Sequence, residues 1–188
     1  MIEELRRFAG DCPGFHAAFG AALSEGQDVL CVGPFSVIAS QLALSRGARA
    51  HLMCPESALE EASRVLPSWN APVNHRAVEG SWDLIFAPMY INHIPKRELV
   101  DFLFDVRDSL RRGGRLILSF EDSLKPDLGE GRSAPLWFCG EEVLTKYYTV
   151  EDMVNTLCAV GFSVTGIEEV EGPGIIHAVS LSCCLHNL

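Results

Sequence analysis

The sequence predicts a three-layer α/β sandwich, a mostly parallel sheet with helices on both faces. Three observations lead there. Short apolar runs of the kind buried on both faces recur at residues 29–33, 50–54, 83–87 and 115–120. Between them lie stretches whose apolar residues repeat at helical spacing. The chain then finishes with two strand-like runs, 162–170 and 175–183, joined by Glu171-Gly172-Pro173-Gly174, which reads as a β-hairpin placing one antiparallel strand. Strand–helix alternation builds parallel sheet, because each crossover helix carries the chain back over the sheet before the next strand.

Taken in order, residues 1–25 read as an N-terminal helical segment, with Ile2 to Ala9 and Phe15 to Leu23 split by Cys12-Pro13-Gly14. Val29 to Gly33 is the first buried strand. Ile38, Leu42 and Ala43 then repeat at helical spacing until Gly47 closes the helix. Ala50 to Cys54 is the second strand, and Ala58, Leu59, Ala62, Val65 and Leu66 form a helix stripe stopped by Pro67. Val73 to Val78 alternates as a third strand, and Asp83 to Ala87 is a central one. Leu99, Phe102, Leu103, Val106 and Leu110 make an amphipathic helix ended by Gly113-Gly114, and Arg115 to Phe120 is the next strand. Residues 122–148, rich in proline, glycine and acids, read as an irregular, lid-like insert. Thr149, with Asp152 three residues on, opens a helix that turns Met153, Leu157 and Val160 inward and stops at Gly161.

At 188 residues the chain reads as a single domain, 1–188. Its 15 basic and 25 acidic residues leave a net charge of −10. That balance argues against nucleic acid or an anionic membrane surface as a partner, since both require clustered Lys and Arg. Only Arg111, Arg112 and Arg115 gather, beside a turn. Met1 to Phe8 lacks the apolar run of a signal peptide, and no stretch reaches the ~20 apolar residues of a membrane helix. Seven cysteines without a paired framework read as reduced thiols in a cytoplasmic protein. No Cys/His group has zinc spacing, so no metal is expected; adjacent Cys183 and Cys184, followed by His186, point to opposite faces of a strand.

Four segments carry a likeness to a known family. Val29-Leu30-Cys31-Val32-Gly33 sits where a first-strand motif would. Trp82 to Ala87 followed by Tyr90-Ile91-Asn92-His93-Ile94-Pro95 matches a fourth strand with its "hHip" turn. Ser109 to Leu116 matches an "sLrpGGrL" turn, and Tyr148-Thr149 through Ala159-Val160-Gly161-Phe162 a "yft…aGF" helix. In this order and spacing the chain resembles the class I S-adenosylmethionine-dependent methyltransferases. The resemblance covers residues from about 28 to 182. It implies a Rossmann-like, seven-stranded sheet whose last strand lies antiparallel between the fifth and sixth.

The resemblance also implies S-adenosylmethionine as cofactor and a small-molecule acceptor. It places Gly33, Pro34, Ser36, Cys54, Glu79 and Met89 toward the cofactor, with backbone N–H groups around Gly33 and Ser36 holding its methionyl part. His93 would act as base and Tyr90 would orient the acceptor. The motif departs from the family at specific positions. Gly33-Pro34-Phe35-Ser36-Val37 stands where Gly-x-Gly-x-Gly is usual, and Cys31 replaces an acid. Cys54, with Glu56 nearby, stands where a carboxylate usually grips the ribose, and only Glu79-Gly80-Ser81 precede the fourth strand. The residues taken alone leave simpler readings open. Gly33-Pro34-Phe35 serves equally as a strand-to-helix turn. Cys31 and Cys54 serve as small buried thiols, and His93 as part of a helix-opening turn. Asp122, Trp137 and Tyr147 suit either a pocket wall or an anchor for the insert. His16 and His75 have no partner that the sequence names. The competing function is a methyltransferase-like scaffold that binds no cofactor and serves as an interaction subunit or a repurposed catalyst. A protein partner or a homodimer fits that second reading.

Overall fold

The computed structural model describes residues 19–33, 36–53, 80–94, 96–121, 132–135, 142–145, 148–172 and 175–185. In chain order these form β1 (Asp28–Val32), α1 (Ser36–Ser45), β2 (Arg49–Met53) and β3 (Trp82–Pro88). A single 3₁₀ turn (Ile91–His93) leads into α2 (Lys96–Ser109), β4 (Leu110–Glu121), β5 (Arg132–Pro135) and β6 (Glu142–Thr145). The chain closes with α3 (Val150–Val160), β7 (Phe162–Gly172) and β8 (Ile175–Leu185). Six strands make one sheet in the order β2-β1-β3-β4-β8-β7. β2, β1, β3 and β4 run parallel, and β8 lies antiparallel between β4 and β7. The expected Rossmann-like mixed sheet is therefore present with six described strands. The seventh, Val73 to Val78, and the turn residues 173–174 of the expected hairpin lie outside the described residues.

Alternation along the strands sorts the core into two layers. Leu30, Val32, Ile85, Ala87, Leu116, Leu118 and Phe120 face α2 and α3, whose Leu99, Leu103, Val106, Met153, Leu157 and Val160 complete one cluster. Each fully buried Val, Leu, Ile, Met or Phe side chain among them contributes about 1.5–3 kcal/mol of transfer free energy. On the other face Val29, Cys31, Leu84, Phe86 and Ile117 are buried. There Ser40 of α1 lies beside the Cys31 thiol, and Phe19 stacks on Phe86 with ring centroids 4.0 Å apart.

Helix α3 starts where the sequence places it: the Thr149 hydroxyl accepts the Asp152 N–H at 3.0 Å, and the helix stops at Gly161. Helix α2 ends earlier than expected, at Ser109 rather than at Gly113-Gly114, because Leu110 already pairs with Trp82. The register then shifts, and Arg115 is the next paired residue, opposite Leu84. Gly114 lies in that irregular stretch. A Cβ on it would stand 2.8 Å from the Arg111 carbonyl oxygen and 3.0 Å from that of Trp82, so only glycine fits the close approach. The insert also differs from expectation, since β5 and β6 pair as a two-stranded antiparallel ladder. Its strand β6 lies beside the 3₁₀ turn.

The amino ends of the strands are held by charge. The Asp28 carboxylate takes Arg49 Nε at 2.6 Å and Arg111 Nη2 at 2.8 Å, while Arg111 Nη1 reaches Asp83 Oδ2 at 2.8 Å. The Asp28 N–H donates to the same Asp83 oxygen at 2.8 Å. Arg115 donates to the Ala22 carbonyl. Two of the three clustered arginines are thus committed within the fold. Among the described residues, no helix is long and apolar enough to cross a membrane, and no group of His, Cys, Asp or Glu is placed to hold a metal.

Arg49, followed by Arg111, holds the Asp28 carboxyl well below the usual carboxylate range. A depressed folded-state value means stability that is full above the unfolded value of about 3.9 and lost as pH falls below it. Asp28→Asn should therefore lower the melting temperature by about 2–4 °C at pH 7. Calorimetric scans should show the gap to wild type persisting down to pH 4 and closing below it.

Candidate functional site

Parallel pairing aligns Val29 with Leu84, Leu30 with Ile85 and Cys31 with Phe86, so β1 and β3 finish at the same edge of the sheet. Their two carboxyl-terminal turns form the candidate site. β1 turns at Gly33, whose φ of 88° is left-handed. Its N–H donates to the Met53 carbonyl at 2.8 Å, and its carbonyl accepts the Ser36 N–H at 3.1 Å. Both backbone amides expected to face a ligand, those of Gly33 and Ser36, are thus engaged within the protein. The Ser36 side chain is different: its Oγ is fully buried and has no hydrogen-bond partner.

β3 turns at Met89, the only non-glycine residue of positive φ (54°) among those described. Such a backbone costs of order 1–3 kcal/mol and persists only where the surroundings hold it. Here its N–H donates to the Ser119 carbonyl at 2.9 Å and to Ser119 Oγ at 3.1 Å. Sequence reasoning passed over Ser119. Its signal was a lone polar residue in the apolar run Leu116-Ile117-Leu118-Ser119-Phe120, and it is buried at 2% exposure.

The sharp turn lays the Tyr90 side chain directly over Gly33. A Cβ on Gly33 would stand 2.6 Å from Tyr90 Cδ2 and 2.8 Å from Tyr90 Cβ. The ring is supported edge-on by Phe102 of α2, with centroids 5.4 Å apart. Burial pushes the Tyr90 phenol up, so it stays neutral. The Tyr90 carbonyl accepts the His93 N–H at 3.0 Å, and the Tyr148 hydroxyl donates to the Ile94 carbonyl at 3.3 Å, fixing the 3₁₀ turn from the insert's far end. His93 Nδ1 is buried without a partner, and burial lowers the imidazole's basicity, keeping it neutral near pH 7.

Gly33, Ser36, Met89, Tyr90 and His93 are thus brought to one edge. Pro34, Phe35, Cys54, Glu56, Glu79, Asp122, Trp137 and Tyr147 lie outside the described residues. Cys31 is completely buried, and burial pushes its thiol up to about 12, which leaves it a neutral packing group.

Among solved structures the chain is similar to 1,6-didemethyltoxoflavin-N1-methyltransferase from Burkholderia thailandensis. The TM-score is 0.71 at 19% identity, covering 91% of this chain and 76% of that one. That structure holds 1,6-didemethyltoxoflavin and S-adenosylhomocysteine. The chain is also similar to an S-adenosylmethionine-dependent methyltransferase from Mesorhizobium loti, at TM-score 0.69 and 16% identity over 88% of this chain and 95% of that one. A third likeness is to the glycopeptide N-methyltransferase MtfA complexed with S-adenosylmethionine. Its TM-score is 0.68 at 14% identity, covering 97% and 92% of the two chains. No protein-family model and no curated protein matches the sequence. The chain has the class I S-adenosylmethionine-dependent methyltransferase fold. Within that methyltransferase fold, the described site residues stand at the carboxyl edge of the parallel strands, where open α/β sheets bind ligands.

Two measurements test this geometry. Gly33→Ala should destabilise the fold by roughly 2–4 kcal/mol from left-handed strain plus the clash with Tyr90. In a Tyr90→Ala background, chemical denaturation should show that cost fall to about 1–2 kcal/mol, the strain alone. Burial also lowers the basicity of both His51 and His93, so the unfolded chain binds protons first as pH drops below about 6.5. Stability should therefore decline between pH 7 and pH 5, and His93→Gln should flatten that decline in thermal melts.

Proposed function

We propose that the chain is an S-adenosylmethionine-dependent methyltransferase acting on a small molecule. One observation carries the reading: two polar atoms, Ser36 Oγ and His93 Nδ1, are buried without partners on turns at the ligand-binding edge of this fold. Orphaned buried polar atoms are costly unless a ligand completes them. The described residues fit the uncharged polar parts of such a cofactor. Ser36 Oγ would stand toward it, with Met89 beside it, and Gly33, Pro34, Cys54 and Glu79 complete the proposed cofactor set. When bound, the cofactor supplies an electrophilic methyl group on a sulfonium.

The chain's own part is alignment and proton removal. His93, neutral and with a free ring nitrogen, takes the proton from the acceptor's nucleophile. Tyr90 orients the acceptor. Strand β6 lies beside the His93 turn. A net charge of −10 favours a small acceptor over nucleic acid.

A specific set of observations favours the second reading, a scaffold without cofactor. The ring of Tyr90 occupies the side of Gly33, both corner amides are spent within the protein, and Cys31 offers no charge. Calorimetric titration separates the two. Micromolar binding of S-adenosylmethionine or S-adenosylhomocysteine supports the enzyme, whereas no heat and no thermal shift at millimolar ligand leaves the scaffold. For the enzyme, His93→Gln should lower the rate of methyl transfer from labelled cofactor by about 100-fold with cofactor affinity unchanged. The wild-type rate should hold through the ordinary histidine range and fall only at lower pH, because burial lowers the basicity of His93 and the residue acts in its neutral form. Equal turnover in the variant would remove His93 from the role of base.

A further inference from the structure

We infer that Tyr90 is the steric gate of the Gly33 corner, setting the size of ligand it admits, and that Ser119 is the positioning residue that holds the gate shut through Met89. The inference rests on the methyltransferase reading and deepens it.

The ring lies so close to Gly33 that no side chain fits between them. Even the smallest side chain on Gly33 would meet three carbons of Tyr90 at 2.6, 2.8 and 2.9 Å. The space beside the glycine, which a ligand would otherwise share, therefore belongs to the ring. Three contacts keep it there. Phe102 backs the ring from α2, the Tyr90 carbonyl is tied to the His93 N–H, and Met89 is held left-handed by two hydrogen bonds from its N–H to Ser119. Ser119 reaches Met89 because β3 and β4 pair in parallel with Pro88 opposite Ser119. Of the two bonds, one comes from a side chain, so this latch is written in the identity of residue 119 and not only in the backbone. A strained residue next to a bulky ring at a ligand edge is a place where strain is released on movement. Swinging Tyr90 away lets Met89 relax, which offsets part of the cost of losing the contact with Phe102.

The test uses two probes of different size on the whole chain, S-adenosylhomocysteine and adenosine, with dissociation constants from calorimetry. Tyr90→Ala should bind S-adenosylhomocysteine at least about tenfold more tightly and change adenosine by less than about threefold, since the larger ligand feels the closed gate. Tyr90→Phe, which keeps the ring, should retain the wild-type ratio of the two constants. Tyr90→Leu, which keeps an apolar contact for Phe102, gives the same readout should the alanine variant fail to fold. Ser119→Ala should shift the ratio in the same direction as Tyr90→Ala and speed hydrogen exchange at the Met89 amide. A purely structural serine would lower the melting temperature without moving the ratio. Binding by the wild type that Tyr90→Ala and Tyr90→Leu leave unchanged overturns the gate alone. Absence of binding in every variant, the opened ones included, overturns the methyltransferase reading and the gate with it.

Discussion

The parallel pairing of β1 with β3 is the constraint on which the rest of the structure depends. Both strands are buried on both faces, between the layer of α2 and α3 and the layer of α1 and Phe19. Because they run in the same direction and in register, they end together, and their turns become neighbours. Gly33 and Met89–Tyr90 are separated by more than fifty residues of chain yet meet within contact distance. A slip of one residue in that register would turn each buried side chain to the opposite layer, so the core fixes the site geometry.

The two ends of these strands use opposite chemistry. At the amino end, Asp28, Asp83, Arg49 and Arg111 form a connected set of ion pairs partly open to water. Arg111 bridges the carboxylates of β1 and β3, which would otherwise repel. At the carboxyl end, burial keeps Cys31, Tyr90 and His93 uncharged, and the unsatisfied groups are neutral polar atoms. Among the described residues, charge thus secures the amino ends of the strands, and neutral groups line the carboxyl ends. A neutral imidazole with a free nitrogen is suited to accept a proton, and a neutral phenol to packing and orientation.

Much of the scaffold was legible in the residues. Apolar runs such as Leu84-Ile85-Phe86-Ala87 and the Thr149–Asp152 cap are local signals, and the strands and α3 followed them. Where expectation and structure part, pairing that no local pattern announces is the reason. Leu110 leaves its helix because Trp82 offers it a strand pairing. The insert contains the β5–β6 ladder, whose four-residue strands are too short to show a strand periodicity. Arg111 and Arg115 read as a loose basic cluster, yet they are tied to Asp28, Asp83 and Ala22.

The site divides along the same line. By itself the sequence determined the alternation of strands and helices and the place of the Gly33 turn and the His93 turn, because periodicity and turn chemistry are properties of neighbouring residues. Only the tertiary structure decided that the Gly33 and Ser36 amides are spent within the protein, that Tyr90 covers the glycine, and that Ser119 holds Met89 in a strained conformation. Those are contacts between strands brought together by the sheet, and no local pattern encodes which side chain will occupy the space a glycine leaves.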